Sequence, residues 1–228
     1  MVFGRSMPRS PAPAWVDRLA AARVTPQVMT DLNAICVYCG SSDGADPAMV
    51  RAAAQLGRTM GEAGIGLVYG GGNNGLMGAV ARSVLAAGGH VTGIIPEFLR
   101  SRERMLEGAQ EMVVVADMHT RKRLMFERAD AFVALPGGIG TLEELVEQMT
   151  WVQLDRHSKP VVIADVNGFW APLLSLIDHM RDAGFVQPSA EVPYQVVRAV
   201  DEILPAIRAA LHRAVRTGLA KTELDVPV

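Results

Sequence analysis

The residues best suited to chemistry in this sequence follow one glycine-rich turn. Residues 136–144 read Pro-Gly-Gly-Ile-Gly-Thr-Leu-Glu-Glu and come directly after the apolar run at residues 131–135. That order predicts a strand, a turn and the start of a helix. Such a turn presents unpaired backbone N–H groups at the positive end of a helix, where phosphates bind. Because the carboxylates of Glu143 and Glu144 follow, the pattern predicts a nucleotide site with an acidic group beside the phosphate.

The same stretch permits a second interpretation that requires no ligand. Thr141 and Glu144 have the spacing of a capping box, in which the Thr side chain caps the helix and the Glu side chain bonds back to the N-cap amide. A glycine turn before a helix is common, so the turn alone does not separate capping from phosphate binding. Both interpretations can hold together.

Two further apolar runs each lead into a glycine-rich loop. Residues 66–69 precede the loop at 70–78, and residues 35–38 precede the loop at 39–44. In a parallel sheet, the loops that follow the strands lie along the carboxyl edge, where open α/β folds bind ligands. Three such loops therefore predict one ligand site at that edge.

A basic stretch opens another predicted helix on the same edge. Residues 118–122 read Met-His-Thr-Arg-Lys, and basic residues at a helix N-terminus oppose the helix dipole. An electrostatic conflict that brings no structural benefit often marks a functional position. We therefore expect Arg121 or Lys122 to meet an anionic ligand or the pair Glu143 and Glu144, the alternative being a solvated basic face.

Apolar runs and helical periodicities alternate along the chain, which predicts an α/β fold. Strands are predicted at residues 35–38, 66–69, 90–95, 112–115, 131–135, 160–164 and 194–197, and helices at 46–63, 79–87, 118–128, 141–154, 170–183 and 200–211. Because the strand runs are continuously apolar, they indicate a parallel sheet with helices on both faces. We expect one domain at residues 33–212, a partly disordered N-terminal extension at 1–32 and a C-terminal tail at 213–228.

Composition narrows the functional classes. The 228 residues carry a formal net charge of −2, which predicts no nucleic-acid partner. No apolar run approaches the roughly 18 residues of a membrane span, so we expect no membrane association. Cys36 and Cys39 have the C-x-x-C spacing of a redox pair, but Cys36 falls within a strand run, so reduced thiols in a cytoplasmic protein are the simpler inference. Without an HExxH motif or a Cys/His cluster, we expect no metal ion and no organic cofactor.

Taken together, four motifs resemble those of the LOG ("Lonely Guy") family. The residues that carry the resemblance are Gly40-Ser-Ser42, Gly70-Gly-Gly72 with Gly75-Leu-Met-Gly78, Met118-His-Thr-Arg-Lys122 and the stretch 136–144, within a similarity that covers about residues 33–212. Members of that family are cytokinin riboside 5′-monophosphate phosphoribohydrolases, and many were once labelled lysine decarboxylases. The resemblance implies a Rossmann-like, doubly wound parallel sheet and a homodimer with sites near the subunit interface.

The resemblance also implies roles for individual residues. The family's catalytic pair falls on Arg121 and Glu144. The positions that match its substrate contacts are Glu103, Lys122, Gly137, Gly138, Ile139, Gly140, Thr141, Leu142, Glu143 and Thr150. The implied substrate is a nucleoside 5′-monophosphate, whose phosphate the glycine turn would hold.

The expected activity is hydrolysis of the N-glycosidic bond of an adenine-type riboside 5′-monophosphate, which releases the free base and ribose 5-phosphate. Two alternatives stay open, a broad AMP nucleosidase and a non-enzymatic nucleotide or cofactor carrier on the same fold. The older decarboxylase label is not favoured, because a pyridoxal phosphate enzyme needs a Schiff-base lysine. The three lysines, Lys122, Lys159 and Lys221, lie in no convincing setting for one.

Overall fold

The computed structural model describes residues 32–100, 105–186 and 193–216, in which strands and helices alternate. The strands are β1 (Ala34–Tyr38), β2 (Gly66–Tyr69), β3 (Val91–Pro96), β4 (Glu111–Val115), β5 (Ala131–Ala134), β6 (Val161–Ala164) and β7 (Gln195–Val197). The α-helices are α1 (Pro47–Glu62), α2 (Gly75–Ala86), α3 (Met118–Glu127), α4 (Ile139–Gln153), α5 (Ala171–Asp182) and α6 (Ile203–Arg216). Short 3-10 turns lie at Glu97–Leu99, Val166–Gly168 and Val200–Glu202.

The strands form one parallel sheet in the order β4-β3-β2-β1-β5-β6-β7. The chain winds outward from β1 to β4 and then returns to the other side of β1 with β5. This reversal makes the β1–β5 boundary the topological switch point, where ligands bind in open α/β sheets. The predicted Rossmann-like, doubly wound fold is confirmed.

Side chains that alternate along the central strands fill two separate cores. In β1, Val37 faces the core that packs α1, α2 and α6, whereas Cys36 and Tyr38 face the core beneath α3, α4 and α5. The second core contains a stack of Tyr38 on Phe132 and of Phe132 on Phe126. Helices on both faces therefore cover the sheet, as the continuously apolar strands predict.

Several boundaries differ from those predicted. Helix α4 begins at Ile139 instead of residue 141, and α2 begins at Gly75 instead of residue 79, because both helices start within their glycine loops. Helix α6 continues to Arg216, so its last four residues lie beyond the predicted end of the domain at residue 212. Most of the predicted extension at 1–32, and the tail after residue 216, lie outside the described residues.

Candidate active site

The loops after β1 and β5 meet at the switch point. The amide of Gly40 donates a hydrogen bond to the carbonyl of Pro136 at 3.0 Å. A cavity of about 480 Å³ opens beside this contact, and the side chains of Met49, Leu76 and Phe169 make much of its wall apolar. Neither Arg121 nor Glu144 lines this cavity, so the predicted catalytic pair lies outside it.

The turn before α4 leaves its helix N-terminus without a side-chain cap. Gly138 is the N-cap and forms no side-chain bond to the first turn. Gly137 has to be glycine, because a Cβ atom there would overlap the side chain of Thr141. The N-terminal N–H groups of a helix need partners from outside it, so this turn can bind an anion.

The capping-box interpretation of Thr141 and Glu144 is wrong. Since Gly138 caps the helix, Thr141 is its third residue and is buried against Gly137. The Glu144 carboxylate, instead of bonding back to an N-cap amide, pairs with a side chain of α3. Tertiary packing, rather than the local helix start, therefore determines the position of Glu144.

The partner of Glu144 is Arg121. This contact is one of those that the sequence predicts between the basic stretch and the acidic pair. Arg121 Nη1 lies 3.3 Å from Glu144 Oε1, and both residues are 9% exposed. Arg121 Nε donates to the carbonyl of Ile94 in β3 at 3.2 Å. A Cβ atom on residue 70 would overlap the guanidinium group, so Gly70 opens the slot that Arg121 occupies.

The environment of Glu144 favours its neutral form. Burial raises the pKa of Glu144 from 4.5 to about 7, although the Arg121 guanidinium opposes this shift. Glu143 and Glu147 raise the pKa further, whereas Lys122 lowers it. A carboxyl group that titrates near neutral pH is typical of acid–base and charge-stabilising positions in enzymes.

A second ion-pair group joins α3 and α4 beside the first. Lys122 Nζ donates to Glu143 Oε1 at 2.7 Å and to Glu147 Oε1 at 2.8 Å. Partial burial by itself lowers the pKa of Lys122, but the hydrogen bonds to the two carboxylates raise it above its usual value overall. The predicted substrate contacts Lys122 and Glu143 are thus brought together.

Other predicted contacts lie away from this group. The hydroxyl of Thr150 donates to the carbonyl of Val146, one turn earlier in α4, at 2.8 Å. Leu142 packs against the second core, while Ile139 is 81% exposed at the start of the helix. Glu103 lies outside the described residues, so its predicted contact stays a prediction.

Comparison with known proteins identifies the family of this chain. A family model described as "possible lysine decarboxylase" matches residues 77–207. The chain is 49% identical over 178 residues to cytokinin riboside 5′-monophosphate phosphoribohydrolase LOG7 of Arabidopsis thaliana, a match that covers 75% of this chain and 82% of that protein. The chain belongs to the LOG family. It is also 46% identical over 184 residues to the corresponding rice enzyme LOG, from Oryza sativa subsp. japonica, which covers 78% of this chain and 76% of that one.

Solved structures share the LOG-family fold at much lower identity. The molybdenum cofactor carrier protein of Chlamydomonas reinhardtii superposes with a TM-score of 0.61 at 20% identity, over 80% of this chain and 99% of that one. The molybdenum cofactor binding protein of Rippkaea orientalis gives a TM-score of 0.59 at 21% identity, over 78% of this chain and 97% of that one. At this identity the comparison establishes the fold alone.

The two cysteines of this LOG-family chain are buried and form no disulfide. Burial raises the pKa of both thiols, and the nearby Glu144 carboxylate adds to the shift. Because thiolates are the reactive form, Cys36 and Cys39 are unreactive packing residues. Across the part of the chain that the structure describes, no group of three or more His, Cys, Asp or Glu side chains could hold a metal ion.

Sequence reasoning missed three contributors to the site. Glu147 lies four residues after Glu143 on the same helix face, a spacing that could have identified it as a second partner for a basic residue. No sequence pattern marked the carbonyl of Ile94 or the loop that carries Phe169. A strand carbonyl and a neighbouring loop enter a site only through tertiary packing.

In the described segments, no helix is long and apolar enough to cross a membrane.

Proposed function

We propose that this protein hydrolyses the N-glycosidic bond of cytokinin riboside 5′-monophosphates and releases the free base and ribose 5-phosphate. The observation that carries the proposal is the buried pair of Arg121 and Glu144, positioned after an uncapped helix N-terminus. Identity of 49% to a relative named for this reaction supports it. In this proposal the turn before α4 binds the 5′-phosphate, and the Glu144 carboxylate lies close to the anomeric carbon of the ribose.

Glu144 stabilises the transition state in this proposal. Departure of the base leaves positive charge on the anomeric carbon and the ring oxygen, as in other glycoside hydrolyses. An ionised Glu144 close to that carbon stabilises the charge and orients the attacking water. Arg121 keeps part of the Glu144 population ionised near neutral pH, because its charge lowers the pKa that burial raises.

The turn that precedes α4 holds the 5′-phosphate in this proposal. Gly138, Ile139 and Gly140 stand at an uncapped helix end, where backbone N–H groups have no partner within the helix. The glycines allow close approach of an anion. Lys122 supplies a positive charge one helix away. A substrate without the phosphate loses several charge-assisted hydrogen bonds at once.

The proposal predicts that AMP and isopentenyladenosine 5′-monophosphate release free base, whereas adenosine reacts at least about a hundredfold more slowly in kcat/KM, since each charged hydrogen bond contributes about 1.5–3 kcal/mol. Chromatography of the purified protein with each compound measures this. Similar rates with AMP and adenosine contradict the phosphate site. The ratio between the two nucleotides separates cytokinin release from broad AMP cleavage, and clear binding without any base release supports a carrier instead.

We also propose that the protein is a cytoplasmic homodimer. Helix α5 has no fully buried residue, yet it presents Leu176 and Met180, with Phe185 just beyond it at 86% exposure. An apolar face of this kind is typical of an interface between subunits. Light scattering tests the assembly and should give twice the chain mass of 24.4 kDa, whereas a monomer mass contradicts it. The buried thiols of Cys36 and Cys39 are compatible with a reducing compartment.

A further inference from the structure

The two carboxylates that hold Lys122 differ in their exposure to solvent. The side chain of Glu143 is 50% exposed, whereas those of Glu147 and Lys122 are 21% and 20% exposed. Water competes strongly for an exposed ion pair and weakly for a shielded one. The bond from Lys122 to Glu147 is therefore the more durable of the two, and the bond to Glu143 is the more exchangeable.

Glu143 and a substrate phosphate would compete for the same positive charges. Glu143 is the fifth residue of α4, about one turn from the helix end at which we place the phosphate, and side chains of a helix lean towards its N-terminus. A phosphate would be a third anion beside the ammonium group that Glu143 and Glu147 already share, and its repulsion favours the departure of one carboxylate. Half exposed as it is, the Glu143 side chain can turn into solvent, whereas Glu147 lies one turn further into the helix.

We propose that Lys122 exchanges Glu143 for the 5′-phosphate of the substrate while it keeps Glu147, which makes Glu147 a positioning residue for nucleotide binding. The inference rests on the proposed function in taking the phosphate to lie at the turn before α4. Glu147 holds the Lys122 ammonium between the two helices, so the lysine does not have to be reordered when the phosphate arrives. Glu143 pairs with the same ammonium group and therefore competes with the phosphate for it.

The exchange predicts opposite effects from the same chemical change at two positions. Glu143→Gln removes the competitor and should lower the dissociation constant of AMP by about threefold, the scale of an exposed ion pair. Glu147→Gln removes the fixed partner and should raise that constant by about tenfold, the scale of one charge-assisted hydrogen bond. Titration calorimetry with AMP in a Glu144→Gln background, where hydrolysis during the titration is slow, measures both, and the dissociation constant of adenosine should change by less than about twofold in either variant.

Lys122→Met provides the matched control. In the Lys122→Met background, Glu147→Gln should cause no further loss of AMP affinity, since the group through which Glu147 acts is gone. A purely structural role predicts something else, namely similar losses of thermal stability in both Gln variants and no difference between AMP and adenosine. The proposal is overturned if both Gln variants weaken AMP binding equally. It is also overturned if Glu147→Gln weakens AMP binding as much in the Lys122→Met background as it does when Lys122 is present. Because calorimetry needs no turnover, failure of base release is read separately from failure of the exchange.

Discussion

Glu144→Gln is expected to reduce the rate of base release from AMP by a factor on the order of 10²–10³, the loss seen when one preorganised stabilising group is removed from a transition state. Gln keeps the shape of the side chain but carries no charge to offset the charge that develops on the ribose. The nucleotide should still bind, because the turn at residues 136–138 is untouched. Chromatography of released base at saturating AMP measures the loss in kcat.

The effect of the same substitution on stability should depend on pH. Since burial raises the pKa of Glu144 from 4.5 to about 7, the folded state binds a proton more tightly than the unfolded state. The stability that neutral Glu144 contributes is fully present below about pH 4.5 and is lost as the pH rises through about 7. Gln resembles the neutral form but leaves the Arg121 guanidinium without a carboxylate. The stability of the variant relative to the wild type should therefore rise by about 1–3 kcal/mol between pH 5 and pH 8, whatever constant cost the unpaired guanidinium adds.

Chemical denaturation of both proteins at pH 5 and pH 8 measures this rise. Glu127→Gln is the matched control, because Glu127 forms an exposed pair with Arg123 at 3.0 Å on α3. An exposed pair contributes about 0–1 kcal/mol, so the control should change neither rate nor stability by much. A fully active Glu144→Gln variant contradicts the proposed role, and a variant whose stability relative to the wild type does not rise between pH 5 and pH 8 contradicts the assigned cost of burial.

Arg121→Met is expected to lower kcat/KM for AMP by about 10²–10³ at pH 7 and to recover part of the activity at higher pH. The guanidinium lowers the pKa of Glu144 against the effect of burial, so its loss leaves less of the carboxylate ionised at neutral pH. The acid limb of the pH–rate profile should therefore move to higher pH. A profile that keeps its position while the rate falls contradicts this role for Arg121.

The stability of Arg121→Met should also depend on pH. Without Arg121, an ionised Glu144 is a buried charge with a lost partner, and removal of one partner of a buried pair costs about 3–5 kcal/mol. The cost should be smaller at pH 5, where Glu144 is neutral. Arg123→Met on the same helix is the control, since Arg123 is half exposed and pairs with Glu127. Thermal unfolding of both variants at pH 5 and pH 8 measures whether the loss of stability is specific to Arg121 and whether it is smaller at pH 5.

The sequence predicted the helix and strand types well because these depend on short-range patterns. Continuous apolar runs marked each strand, and the structure has strands at all seven predicted places. Helix starts within glycine loops were placed late, at residues 79 and 141 instead of Gly75 and Ile139. Glycine has a low helix propensity, but contacts of the loops hold these first turns in place, and such contacts are absent from a local pattern.

By itself, the sequence determined which residues could meet. Three glycine loops follow parallel strands, so they had to lie on one edge, and the basic start of α3 had to reach that edge as well. Only the tertiary structure decided how they meet. Arg121 on α3 donates a hydrogen bond to a carbonyl of β3 that lies 27 residues earlier in the chain. Burial of Glu144 on α4 raises the pKa of its carboxyl group to about 7. Desolvation and ion pairing depend on the distance between segments remote in sequence, whereas propensity and periodicity depend on neighbours along the chain.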